Sequence, residues 1–129
     1  MQERLNIQDL PELKIDPAAQ DLMRRKRLPK MFLNAALSAV RGSASSGEVV
    51  GLKLVKVIEP ADNSRSPFEE VVLEVLTQLA PIESLQLWHR IGEKMDEFKK
   101  NLSENSCIKF NRYFGFDILP KEFSELVSA

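Results

Sequence analysis

Residues 66–102 read SPFEEVVLEVLTQLAPIESLQLWHRIGEKMDEFKKNL, and this stretch sets the expected fold. Ser66 stands where a helix N-cap accepts from a free backbone N–H, and Pro67 fits the first helical position, which loses no hydrogen bond to a proline. Glu69 can reach back to the cap, and Glu69 and Glu70 suit the positive end of the helix dipole. Phe68, Val71, Val72, Val75, Leu76 and Leu79 then recur at i, i+3, i+4, i+7, the spacing of a one-sided helix. Pro81 ends or sharply bends that helix, because the residue before a proline avoids the α region. A second helix is expected over Ile82 to Leu102. Its apolar stripe is Leu85, Trp88, Ile91 or Gly92, Met95, Phe98 and Leu102. Its other face carries Arg90, Glu93, Lys94, Asp96, Glu97, Lys99 and Lys100, with the terminal lysines suited to a helix C-terminus.

Working outward, the composition narrows the classes. A chain of 129 residues fits one domain able to bury a core of its own. Apolar content of 43% and a formal net charge of -1 argue against a disordered chain and a strongly basic nucleic-acid binder. The charge is unevenly spread: 11 basic against 8 acidic residues up to Arg65, then 7 against 11 from Ser66 onward. A single cysteine excludes an internal disulfide framework and fits a reducing compartment. No apolar run reaches the length of a membrane span, and the N-terminus lacks a signal-peptide layout. The expectation is a soluble, intracellular, cytoplasmic protein with no membrane partner, a nuclear location being open.

Residues 1–15 read as an N-terminal arm, polar with scattered Leu and Ile and extended in character at Leu13 and Ile15. Residues 16–129 read as a single helical domain. Asp16-Pro17 caps its first helix, which runs into the basic residues Arg24 to Arg27. Leu28-Pro29 starts another helix whose alanines, among them Ala35, Ala36 and Ala39, allow close helix approach. Gly42 suits the position just past its end. Residues 42–47 form a loop without a phosphate-binding signature.

Two segments stay open between helix and strand. The segment 48–58 is rich in Val and Ile, with apolar residues on both faces, and its β-branching and Gly51 tip it toward strand. A lone strand needs a partner, either 108–118 or a second subunit. In 108–118, Ile108, Phe110, Phe114, Phe116 and Ile118 alternate, yet Cys107, Phe110 and Phe114 would equally line a short helix. A last short helix is expected after Pro120, with Phe123, Leu126 and Val127. The expected fold class is mainly α, about five helices with one or two short strands at 48–58 and 108–118.

No catalytic constellation or metal set is legible, and no cofactor is expected. His89 is the only histidine and Cys107 the only thiol, and single residues carry no spacing that marks a dyad. Two N/S ligands fall short of a zinc site. The cluster Glu93, Asp96, Glu97 shares its face with lysines and reads as a solvated surface. The expected function is therefore a non-enzymatic interaction module (adaptor, assembly factor or regulator) with a protein partner or a second copy. The candidate partner-binding residues are Trp88, Phe98, Phe110, Tyr113, Phe114 and Phe116, since aromatic side chains supply large buried area at interfaces. The alternative is a nucleic-acid-associated regulator. Five cations in seven residues, Arg24, Arg25, Lys26, Arg27 and Lys30, could contact phosphates or an acidic partner.

Overall fold

The computed structural model describes residues 10–45, 47–59 and 68–120. Their order is β1 (Leu13–Ile15), α1 (Pro17–Arg25), α2 (Lys30–Ser43), β2 (Val49–Glu59), β3 (Phe68–Thr77), α3 (Pro81–Lys99), α4 (Glu104–Tyr113) and β4 (Phe114–Leu119). The four strands form one mixed sheet in the order β1-β2-β3-β4. The chain is thus an α/β fold, four helices on a four-stranded sheet among the described residues, and not the mainly helical domain that the periodicity suggests.

The correction falls on the first helix expected within residues 66–102. Phe68–Thr77 is a strand, antiparallel to β2, with Leu54 opposite Leu73 and Leu52 opposite Val75. Leu73 shows why. At 3.6 residues per turn it would leave the stripe formed by Val71, Val72 and Val75. In a strand, Val71, Leu73, Val75 and Thr77 share one face, and each is fully buried. The β-branched valines pack well on a pleated surface. The expected cap residues Ser66 and Pro67 lie outside the described residues. Glu69, expected to cap, instead accepts from Lys56 Nζ at 3.2 Å and Arg25 at 3.3 Å.

Other expectations meet the structure variously. Residues Val49–Glu59 are a strand, but its partners are Leu13–Ile15 and Phe68–Thr77, not 108–118 or another subunit. The 108–118 segment divides: Phe110 lies in α4, and Phe114, Phe116 and Ile118 lie in β4, which pairs parallel with β3. Asp16 caps α1, its carboxylate accepting from Ala18 N at 3.4 Å, and Pro17 is the first helical residue. Pro81 opens α3 rather than bending a continuing helix. Gly42 is helical, α2 ending at Ser43. The helix expected after Pro120 falls on residues 121–129, outside the described part.

All four helices cover the same face of the sheet, the face of Leu52, Leu54, Val71, Leu73, Val75 and Phe114. Phe32 of α2 sits at the centre, fully buried, edge-on to Phe98 of α3, Phe110 of α4 and Phe114 of β4, with ring centroids 6.4, 4.9 and 6.2 Å away. Ala36 and Ala39 of α2 are buried in the same core, where small side chains permit close approach. The topology has a further consequence. β1→β2 and β3→β4 step the same way across the sheet with opposite strand directions, so helix pairs on one face give the two crossovers opposite hands. One of them therefore runs against the right-handed preference of parallel β-connections.

Candidate functional site

The site grows from α3 and the edge strand β4. Helix α3 buries Ser84, Leu87, Ile91 and Met95 toward the sheet. A second apolar row, Ile82, Leu85 and Trp88, is left outside and is 73%, 55% and 42% exposed. These positions are three apart, so the three side chains neighbour one another on the helix surface. Pro81 at the first helical position and Glu83, which accepts from Ala80 N at 3.4 Å, fix where the row begins.

Trp88 stands between two grooves that separate α3 from β4. One, of about 450 Å³, runs from Trp88 past Gly92 and Met95 to Phe110, Phe114 and Phe116, with His89, Glu93, Asp96, Lys99 and Asn111 along it. The indole lies 6.0 Å from the Phe116 ring and 5.3 Å from the His89 ring. Lys99 is held at 3.3 Å from Asp96 and donates to Asn111 Oδ1 at 3.2 Å. The other groove, of about 300 Å³, is lined by Pro81, Ser84, Leu85, Trp88, Asp117, Ile118 and Pro120. Both grooves lie along β4, which among the described residues pairs with β3 on one side only. No protein-family model, curated protein or solved structure matches this chain.

The fold gathers the candidate aromatic residues unequally. Trp88 and Phe116 meet at the groove wall, and Phe110 and Phe114 form its floor but are 5% and 4% exposed, stacked 5.4 Å apart in the core. Phe98 is half-buried against Phe32 and Phe110. Tyr113 belongs elsewhere, stacked on Phe68 at 6.1 Å. Ile82, Leu85 and Ile118 line the surface without having been legible as site residues. Their alternation with polar positions reads as ordinary amphipathicity until the sheet shows which helix face is already covered.

The basic run is likewise divided. Arg24 and Arg25 both hold Asp21, and Arg25 also reaches Glu69. The hydrogen bond from Arg25 lowers the Asp21 carboxyl below its ordinary range. Those from Lys56 and then Arg25 lower that of Glu69. The hydrogen bond to Asp21 raises Arg25. Arg24 and Lys30 border a third groove, of about 530 Å³, floored by Ile15, Met23, Leu28, Leu33 and Leu54. Lys26 Nζ lies instead over the Tyr113 ring of α4, and the Arg27 carbonyl accepts from Lys109 of α4.

His89 lines the first groove and Cys107 does not. Cys107 Sγ accepts from Asn111 Nδ2 at 3.7 Å within α4. Among the described residues no three His, Cys, Asp or Glu side chains are grouped to hold a metal ion, and no helix is long and apolar enough to cross a membrane.

Proposed function

We propose that the chain is a non-enzymatic docking module that takes an extended segment of a partner protein along β4. The observation that carries the reading is the pairing, among the described residues, of a sheet edge without a further strand with the exposed apolar row Ile82, Leu85 and Trp88. Strand edges are normally blunted by shortness, by charge or by proline. The β1 edge is three residues long, whereas β4 runs six residues with Asp117 as its only charge. A segment added there would gain main-chain hydrogen bonds. Its alternate side chains would enter the grooves on either side of Trp88, the arrangement of β-augmentation. Trp88 is the residue type that most often dominates such interfaces.

Selection of linear peptides from a random display library on the immobilised chain tests the reading. Trp88 is the only tryptophan, so its emission reports binding directly. The expected binders carry apolar residues at alternate positions. Their affinity falls at least tenfold in Trp88→Ala and on N-methylation of the peptide backbone. Selected peptides that bind Trp88→Ala equally well, or a library that yields none, overturn the proposal. Self-association seen by light scattering and abolished by Trp88→Ala would replace the partner with a second copy.

A further inference from the structure

The basic run that the docking surface leaves aside comes together with a second pair of cations. Lys26 and Arg27 at the end of α1 meet Lys109 and Arg112 of α4, Lys109 Nζ donating to the Arg27 carbonyl at 3.5 Å. Lys26 Nζ lies 5.4 Å from the Tyr113 ring centre, and the Arg112 guanidinium lies 5.4 Å from Tyr113 and 5.5 Å from Phe68. Tyr113 and Phe68 are themselves stacked. The aromatic pair thus positions two of the four cations. Among the described residues none of the four forms an ion pair, while Asp21 is held by Arg24 and Arg25, and Glu69 by Arg25 and Lys56.

The backbone at Arg27 adds an independent observation. Leu28 N donates to Met23 O at 2.9 Å and Arg27 N to Arg24 O at 3.2 Å, the two bonds of a Schellman helix end. Its left-handed position is where glycine belongs, yet Arg27 occupies it at φ 54°, the only non-glycine residue with positive φ among those described. A long cation is held in a disfavoured conformation at the edge of an uncompensated positive cluster. Strain kept at such a place points to use of the side chain.

We infer that Lys26, Arg27, Lys109 and Arg112 form a phosphate-contacting surface for a nucleic-acid backbone, separate from the α3–β4 docking face. The four cations run from the end of α1 across α4, a track that suits a linear polyanion better than a single phosphate. The rings already stack on each other and hold cations, so the track reads phosphates rather than bases, and binding is independent of sequence. Planar guanidinium groups at Arg27 and Arg112 suit phosphate oxygens.

Fluorescence polarisation of labelled 20-nucleotide single strands and 20-base-pair duplexes of random sequence, across a salt series, tests the inference. The expected result is binding that weakens steeply with salt, log K falling against log salt with a slope of roughly -3 for single strands and -4 for duplex. Each of Lys26→Gln, Lys109→Gln and Arg112→Gln reduces the duplex slope by about one. Arg27→Gly does the same while the protein melts at a higher temperature, which separates lost binding from lost folding. Lys14→Gln, on the β1 edge, leaves the slope unchanged. Absence of salt-sensitive binding at 50 mM salt, or slopes that ignore these variants, overturns the inference. So does retention on phosphatidylserine vesicles without oligonucleotide binding, which moves the surface to a membrane. Displacement of the oligonucleotide by poly-glutamate at equal charge overturns it too, in favour of an acidic protein.

Discussion

The hydroxyl oxygens of Thr77 and Ser84 lie 3.2 Å apart at the junction of β3, α3 and β4, with both residues buried. Thr77 Oγ1 also donates to Leu119 O at 3.3 Å and accepts from Leu79 N at 3.2 Å. Three elements that border the proposed docking face are thereby joined by one small polar knot. Removing one hydroxyl leaves the other buried with fewer partners. Thr77→Val and Ser84→Ala should each cost about 1–3 kcal/mol in urea denaturation. The double variant should lose less than the sum by about 0.5 kcal/mol or more, since the two share one network. Strict additivity would show that the hydroxyls act separately.

Phe32 and Trp88 should behave as opposites. Phe32→Ala removes the ring against which Phe98, Phe110 and Phe114 pack, and large-to-small changes of this kind cost about 3–5 kcal/mol. That is a large part of the roughly 5–15 kcal/mol of a typical domain. Trp88→Ala, at a 42% exposed position where the ring still meets Phe116 and His89, should cost distinctly less, about 1–2 kcal/mol. Thermal and urea melts of the two variants make the comparison. A Trp88→Ala variant as damaged as Phe32→Ala would make Trp88 a core residue and remove it from the docking face.

Arg27→Gly should stabilise the protein. Glycine adopts the left-handed region without the penalty of about 1–2 kcal/mol that an L side chain meets there. A gain of about 1 kcal/mol corresponds to roughly 4–8 °C for a small domain. Arg27→Ala keeps the strained Cβ and should gain little. Equal melting temperatures for the two variants would show that Arg27 carries no strain.

Acid should weaken the link between α1 and the β2–β3 hairpin. Hydrogen bonds from Lys56 and then Arg25 lower the Glu69 carboxyl below its ordinary value of 4.5. A carboxyl lowered on folding stabilises the fold above that ordinary value, and the contribution is lost as pH falls through the folded one. Stability should therefore decline below about pH 4.5, and less so in Glu69→Gln. Melts at pH 7 and pH 3 in both forms measure the difference. The effect should shrink in high salt, because the partners are partly exposed. An identical acid response in Glu69→Gln assigns the loss to other carboxyls.

Much of the chain was legible where the signal is local. Asp16-Pro17, Pro29 and Pro81 each mark a helix start, because a cap or a proline acts on its own turn of backbone. Leu13 and Ile15 read as extended, and 48–58 tips toward strand through its β-branching and Gly51, the structure placing the strand at Val49–Glu59. The site was legible only in part. Trp88 and Phe116 are two of the six aromatic residues picked from the sequence, but their meeting depends on β4 lying beside α3. The basic run is plain in the sequence, and its junction with Lys109 and Arg112 is not, since 82 positions separate Arg27 from Lys109.

The sequence by itself determined where helices begin, that a buried core exists, and that no covalent framework is needed. Tertiary structure decided that Phe68–Thr77 is a strand, that the segment after Ser106 changes from helix to strand at Phe114, and which cations stay unpaired. The physical reason is the range of the interactions. A helix closes its hydrogen bonds within four residues, so its ends are written locally. A strand must find its partners elsewhere, and β3 gains its stability from β2 and β4, where Leu73 lies opposite Leu54 on one side and Phe116 on the other.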